Sequence, residues 1–178
     1  MITLFAALPV PDDIAARLLP LQTGLDGARW RERGHFHITL AYFGDMEEPD
    51  ARELDGEIGN LACPQFDLRI EGVGWFGRKE PHSVFATVKR TPEMDQLSKD
   101  CRAVGRRLGL KPDEKPFKPH ITLAYLNDVP LASAMAWSER WQVLRAGPWT
   151  ADQFHLFESI PRVGKKSVYE PVADYPLG

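Results

Sequence analysis

A chain of 178 residues with 43% hydrophobic content can bury one sizeable core or two small joined ones, which predicts a compact globular unit. Its 22 Lys and Arg against 25 Asp and Glu leave a net charge of −3. That balance excludes a protein holding long nucleic acid through the phosphate backbone and suits recognition of a short end or a nucleotide.

The apolar start reads as a strand over Ile2 to Leu8, because Met1 to Val10 lacks the basic flank, the length and the cleavage signal of a secretory leader. With no apolar run of about 20 residues, a soluble cytoplasmic protein without membrane contact is expected, acting as a monomer. Pro11-Asp12-Asp13 is a helix start, and the helix continues through Ile14 to Leu21. After Arg29-Trp30 comes a strand that carries His37-Ile38-Thr39-Leu40-Ala41-Tyr42, followed by a capped helix over Asp50 to Leu61. Phe66 to Val73 and Ser83 to Val88 alternate as strands, with Gly72, Gly74 and Gly77 marking turns between them. From Pro92 to Leu108, Met94, Leu97, Cys101, Val104 and Leu108 recur at spacings of three and four, the stripe of an amphipathic helix that ends at Gly109. Pro112, Pro116 and Pro119 make the next segment an extended loop leading into His120-Ile121-Thr122-Leu123-Ala124-Tyr125. Val129 to Leu144 is expected to be helical, and Phe154 to Ile160 and Val168 to Val172 close the chain as strands. Cys63 and Cys101 are too few for a disulfide scaffold, sit in no CxxC pair and are expected to be reduced and inert. The irregular mixture of helices and hairpin-like strand pairs favours α+β over a doubly wound sheet, and no low-complexity linker divides residues 1–178, which are expected to form a single two-lobed domain.

The six residues from His37 to Tyr42 recur letter for letter from His120 to Tyr125. With average residue usage such a repeat arises by chance about one time in a thousand. The copies lie nearly half a chain apart and occur only twice, which points to two related lobes rather than a solenoid. Ile, Thr, Leu and Tyr favour extended backbone, and alternate side chains of a strand face opposite ways. His37, Thr39 and Ala41 therefore share one face and Ile38, Leu40 and Tyr42 the other. His120 and Thr122 likewise oppose Ile121, Leu123 and Tyr125.

Two such strands facing one cleft would set two imidazoles and two hydroxyls around a ligand, an arrangement suited to in-line displacement at phosphorus. A neutral imidazole can take a proton from the attacking water while a protonated one gives a proton to the leaving oxygen, since the ordinary histidine pKa of about 6.5 keeps both forms accessible. Thr39 and Thr122 would hydrogen-bond the non-bridging oxygens, and no metal or cofactor is required. A single His-x-Thr on a strand is ordinarily a satisfied half-buried pair, and a duplication can preserve a purely structural motif; the identical second copy is what favours catalysis.

With these motifs the chain resembles the two-histidine phosphoesterases, and within them the RNA 2′,3′-cyclic phosphodiesterases also called 2′-5′ RNA ligases. Besides the paired motifs, the likeness takes in the first strand, Pro11-Asp12-Asp13, Arg29-Trp30, Phe43-Gly44-Asp45, Gly74-Trp75-Phe76-Gly77, Phe117-Lys118-Pro119 before the second copy, and the late strand from Phe154 to Ser159 with Tyr169 after it. The resemblance implies two pseudo-symmetric antiparallel sheets around a central cleft with helices outside. It also implies hydrolysis of 2′,3′-cyclic phosphate ends of RNA or small nucleotides to 2′-phosphomonoesters, with reversible 2′-5′ ligation as a side activity. By the same resemblance His37 is the proton donor to the leaving oxygen, His120 the base that activates water, and Thr39 and Thr122 the phosphate-binding hydroxyls.

One position departs from the family pattern. Many bacterial members carry in the second copy an arginine that helps hold the phosphate, and here that place is Tyr125. Strict alternation sends Tyr125 to the apolar face, so a substrate role for it requires a bulge or the strand's end. Lys118, on the His120 face by parity, and Arg29, Arg31 or Arg33 are the cations near enough in sequence to replace the missing charge. Two other readings follow from the same residues. One is a nucleotide- or RNA-end-binding module that has kept the cleft and lost efficient catalysis. The other is a metal centre built from His35, His37, His120 and Asp45, which leaves the repeated threonines without a role. His35 is expected at a solvated strand end, and His82 and His155 as ordinary strand or loop residues. Arg162, Lys165 and Lys166 are expected in a loop able to rim the cleft. Trp30, Trp75 and Phe76 are candidates to stack on a base or to pack the core.

Overall fold

The computed structural model describes residues 1–178. Strands β1 (Ile2–Pro9), β2 (Ala28–Trp30), β3 (His37–Met46), β4 (Phe66–Phe76), β5 (Ser83–Val88), β6 (His120–Leu126), β7 (Arg145–Ala151), β8 (Gln153–Arg162) and β9 (Lys165–Pro176) are interspersed with helices α1 (Asp12–Leu18), α2 (Glu48–Gly59), α3 (Pro92–Arg107) and α4 (Leu131–Trp141). Every strand pair is antiparallel. The strands form one sheet in the order β3-β1-β8-β9 and a second in the order β2-β6-β5-β4-β7, the α+β architecture expected. The motif strands β3 and β6 belong to different sheets and approach each other where the sheets meet.

Helices α2 and α3 pack on the first sheet, and α1 and α4 on the second. Each sheet therefore buries one face under two helices, and the motif strands supply Ile38, Leu40, Ile121 and Leu123 to that buried side, all fully enclosed. The 41 residues of the main apolar cluster run through both sheets and all four helices without a break. Helix α3 starts from Thr91, whose hydroxyl accepts a hydrogen bond from the Met94 N–H, and buries Met94, Leu97, Cys101 and Val104, the stripe that its spacing predicted.

Several expected boundaries shift for local reasons. Pro20 cannot continue the ladder of α1, so the helix stops at Leu18 and a 3-10 turn covers Leu19–Leu21. Helix α4 is confined to Leu131–Trp141, short of Leu144. Of the three glycines expected in turns only Gly77 lies in one. Gly72 and Gly74 are inside β4, with Gly72 at positive φ where the β4–β5 register slips between Ile70 and Val73. His35 closes a 3-10 turn ahead of β3 and is half-buried, so it is no solvated strand end. Strands β2 and β7 were not foreseen. The first has three residues, and the second contains Pro148, tolerated because β7 is an edge strand.

The largest departure from simple alternation lies in the motif strands. On β1, Ala6 stands opposite Ala41 and Ala7 opposite Thr39, which leaves Leu40 without a partner. On β5, Val84 faces Ala124 and Phe85 faces Thr122, which leaves Leu123 unmatched in the same way. Each copy thus carries a bulge at its fourth residue, and the alternation reverses beyond it. Ala41 and Ala124 are buried, while Tyr42 and Tyr125 are 45% and 40% exposed, the opposite of their expected faces.

Candidate active site

His37, the first residue of β3, stands against the Phe5 ring with centroids 5.1 Å apart and meets the edge of Tyr169 at 5.4 Å. His120, the first residue of β6, stands 5.1 Å from Phe85 and edge-on to Phe76 at 4.9 Å. Nδ1 of His37 donates to the carbonyl of His35 at 2.7 Å, and Nδ1 of His120 to the carbonyl of Lys118 at 2.5 Å. A carbonyl can only accept, so Nδ1 carries the hydrogen in both rings and Nε2 of the neutral form is left with its lone pair. Because each acceptor lies two residues upstream of its ring, the same short stretch of chain builds the same imidazole in both lobes.

Burial pushes the His37 pKa down to about 4, helped by the charge of Arg31 and by His120 and His35 and opposed by the bond to the His35 carbonyl. His120 is also lowered, by burial and by the charge of Lys118, against the opposing bond to the Lys118 carbonyl. Burial therefore favours the neutral form of both imidazoles. Thr39 and Thr122, two residues on from the histidines and on the same faces, are half-buried.

The remaining sequence candidates are not equivalent. Lys118 is exposed beside His120, its Nζ 5.2 Å from the centre of the Phe76 ring and 5.4 Å from that of Phe85. Arg29 is exposed on β2, opposite Tyr125. Arg33 donates to the Asp12 carbonyl and pairs with the Asp12 carboxylate at 3.6 Å. Arg31 is no surface charge: it is 7% exposed, 5.2 Å from the Tyr125 ring centre and 5.3 Å from that of Tyr169. Nε2 of His35 is taken by the Ser167 carbonyl at 3.1 Å and the Asp45 carboxylate accepts from Thr3, so the proposed metal set is not assembled. No three His, Cys, Asp or Glu side chains come close enough together to share a metal ion.

Three features escaped the sequence reading. The burial of Arg31 depends on Tyr125 and Tyr169, both distant in the chain. Arg162, Lys165 and Lys166, expected in a loop rimming the cleft, stand instead on the paired strands of the β8–β9 hairpin, which reaches the second sheet, where Nζ of Lys166 donates to the Trp30 carbonyl at 2.7 Å. His155 is a strand residue as expected, but on β8 it lies opposite Ala7, which in turn lies opposite Thr39, and its Nδ1 bonds the Asp174 carboxylate at 2.5 Å. A surface hollow lined by Val10, Arg33, Phe36, His155 and Phe157 continues from there. Of the aromatic candidates, Phe76 reaches His120, whereas Trp30 packs toward Trp137 at 6.4 Å.

A family model described as the 2′-5′ RNA ligase superfamily matches residues 10–160. A protein of Geobacillus stearothermophilus named RNA 2′,3′-cyclic phosphodiesterase is 28% identical over 171 residues, covering 92% of this chain and 50% of its own length, so the chain spans half of that relative. A protein of the same name from Thermus thermophilus is 32% identical over 133 residues, 68% of this chain and 67% of that one. The crystal structure of E. coli LigT complexed with 3′-AMP superposes with a TM-score of 0.80 at 23% identity, covering 99% of this chain and 98% of that chain, a likeness of fold.

Proposed function

The chain belongs to the 2′-5′ RNA ligase superfamily, and from that premise we propose that it hydrolyses 2′,3′-cyclic phosphate ends of RNA or of nucleotides to 2′-phosphomonoesters, with His37 and His120 as the acid–base pair. The observation that carries this reading is the twofold imidazole: identical motifs, each with Nδ1 fixed on a carbonyl two residues upstream and each followed by the same bulge. The name RNA 2′,3′-cyclic phosphodiesterase, borne by the Geobacillus and Thermus relatives, supports the substrate class.

In the proposed reaction Nε2 of His120 takes a proton from water as the water oxygen attacks phosphorus. The bond from phosphorus to the 3′ oxygen breaks in line, and protonated His37 gives its proton to that oxygen. His120 then releases its proton and His37 regains one from solvent, so the pair is restored. Burial opposes the charged form of His37 in the free protein, and the negative charge of a bound substrate favours it. Thr39 and Thr122 donate to the non-bridging oxygens, while Lys118, Arg29 and Tyr125 border the bound nucleotide. With the 5′ hydroxyl of a second RNA in place of water, the same displacement forms a 2′-5′ linkage reversibly.

The test uses the four nucleoside 2′,3′-cyclic monophosphates and a short RNA ending in the cyclic phosphate, with EDTA present and phosphorus NMR to identify the product. A 2′-phosphate is expected, and His37→Ala and His120→Ala should each lower turnover by about 10²- to 10⁴-fold with unchanged circular dichroism. Binding of a 2′-phosphorylated end without any turnover would instead identify a binding module, and wild-type rates in both variants would sink the two-histidine mechanism.

A further inference from the structure

We propose that Arg31 is the cation that holds the scissile phosphate, its guanidinium kept between Tyr125 and Tyr169 until Tyr125 turns aside and a non-bridging oxygen takes the ring's place. The inference rests on the reading above and names the group that binds the charge of its substrate.

Arg31 is 7% exposed, and its Nη2 is shut off from solvent without a hydrogen-bond partner. None of the ion pairs of the protein includes it. A guanidinium buried without an anion is costly, because the charge has left water and no opposite charge replaces the lost solvation. The two tyrosine faces compensate only in part. No carboxylate lies within ion-pair reach of Arg31, and its charge acts instead on His37 and His35, whose pKa values it lowers, and on the Tyr169 hydroxyl, with which it shares a hydrogen bond. An unpaired guanidinium beside a candidate acid is suited to pair with the negative charge of a phosphodiester.

The position of Arg31 follows from the backbone. Its N–H extends the β2 ladder to the Leu123 carbonyl at 2.8 Å, at the bulge that turns Tyr125 outward. Tyr125 is 40% exposed and is tied inward through Tyr169, whereas Tyr169 is packed on Phe5, His35 and His37. The other cations are less suited: Lys118 and Arg29 are exposed and Arg33 is already paired with Asp12. Occupation by phosphate would also cancel the field of Arg31 at His37, so that the acid gains its proton together with the substrate.

The experiment titrates inorganic phosphate and a nucleoside 2′-monophosphate into the wild-type protein and into Arg31→Met, Arg31→Lys, Tyr125→Ala and Lys118→Met, and measures hydrolysis of the cyclic nucleotide in parallel. Arg31→Met is expected to weaken both ligands by about 10- to 100-fold and to lower kcat/KM accordingly, with partial recovery in Arg31→Lys. Tyr125→Ala is expected to bind phosphate at least as tightly as the wild type. Wild-type affinity in folded Arg31→Met, or a loss confined to Lys118→Met, would overturn the proposal, and weaker phosphate binding by Tyr125→Ala would overturn the part given to Tyr125. Should Arg31→Met fail to fold, the guanidinium nitrogen resonances of wild-type Arg31 decide: movement on adding phosphate supports the proposal and none overturns it. Hydrolysis with phosphate binding independent of Arg31 would leave the proposed function standing and remove this inference. Phosphate bound through Arg31 without hydrolysis of any cyclic phosphate would do the reverse.

Discussion

A buried imidazole whose Nδ1 is already committed to a carbonyl can change its charge only at Nε2, and burial makes that change costly. For His37 the shift from 6.5 to about 4 has a consequence for folding. Between those values the unfolded chain binds the proton and the folded one does not, so stability is fully present above pH 6.5 and falls as the pH drops toward 4. The shift corresponds to about 3 kcal/mol, and His120 and His35 act in the same direction. In His37→Asn the amide can keep the bond to the His35 carbonyl without titrating. This variant is therefore expected to lose less stability than the wild type between pH 7 and pH 4.5, read from denaturant midpoints; equal losses would mean that His37 is not the source. At this scale the histidines and threonines were legible, because the repeat names them and the upstream carbonyl is local. Arg31 could only be offered beside Arg29, Arg33 and Lys118, because what sets it apart is enclosure by Tyr125 and Tyr169. The inertness expected of Cys101 has a similar origin, since burial holds its thiol up at about 12.

At the scale of elements the matched bulges decide which way the second half of each motif faces. An unmatched residue leaves its backbone groups outside the regular ladder, and each copy handles this differently. The Leu40 carbonyl accepts from the buried Ser98 hydroxyl of α3 at 2.6 Å, whereas the Leu123 carbonyl accepts from the Arg31 N–H of the chain leaving β2 and from Nε2 of Gln22 at 3.3 Å. Ser98→Ala strands a buried acceptor and is expected to cost about 1–3 kcal/mol, lowering Tm by about 2–12 °C. Calorimetry measures this, and an unchanged Tm would show that the Leu40 carbonyl needs no such partner. The apolar pattern identified β3, β6 and α3 because each buries one face along its length. It could not reveal the bulges, since a two-against-one match depends on the partner strand. It missed β2, too short to show a period, and β7, whose Pro148 is compatible with a strand because β7 is an edge strand and its pairing with β4 is irregular there.

At the scale of the whole molecule the two sheets are joined rather than merely adjacent. The apolar cluster is continuous through both, and the β8–β9 hairpin ties them again through Lys166 on Trp30 and Tyr169 beside Arg31. Unfolding in urea is accordingly expected as one transition, with tryptophan fluorescence and far-ultraviolet circular dichroism coincident; two separated transitions would mean that the lobes are independent domains. Residue order alone carries the duplicated imidazole and hydroxyl and the strands that hold them, and it points to the chemistry that they suit. Those properties depend on residue identity and on neighbours a few positions away, where backbone preference and a carbonyl two residues upstream act directly. That Tyr42 and Tyr125 face outward, that burial favours the neutral form of both histidines and that Arg31 is the enclosed cation became visible only in the folded chain. Each of these is set by register, burial and field, which sum over groups that the chain brings together from far apart.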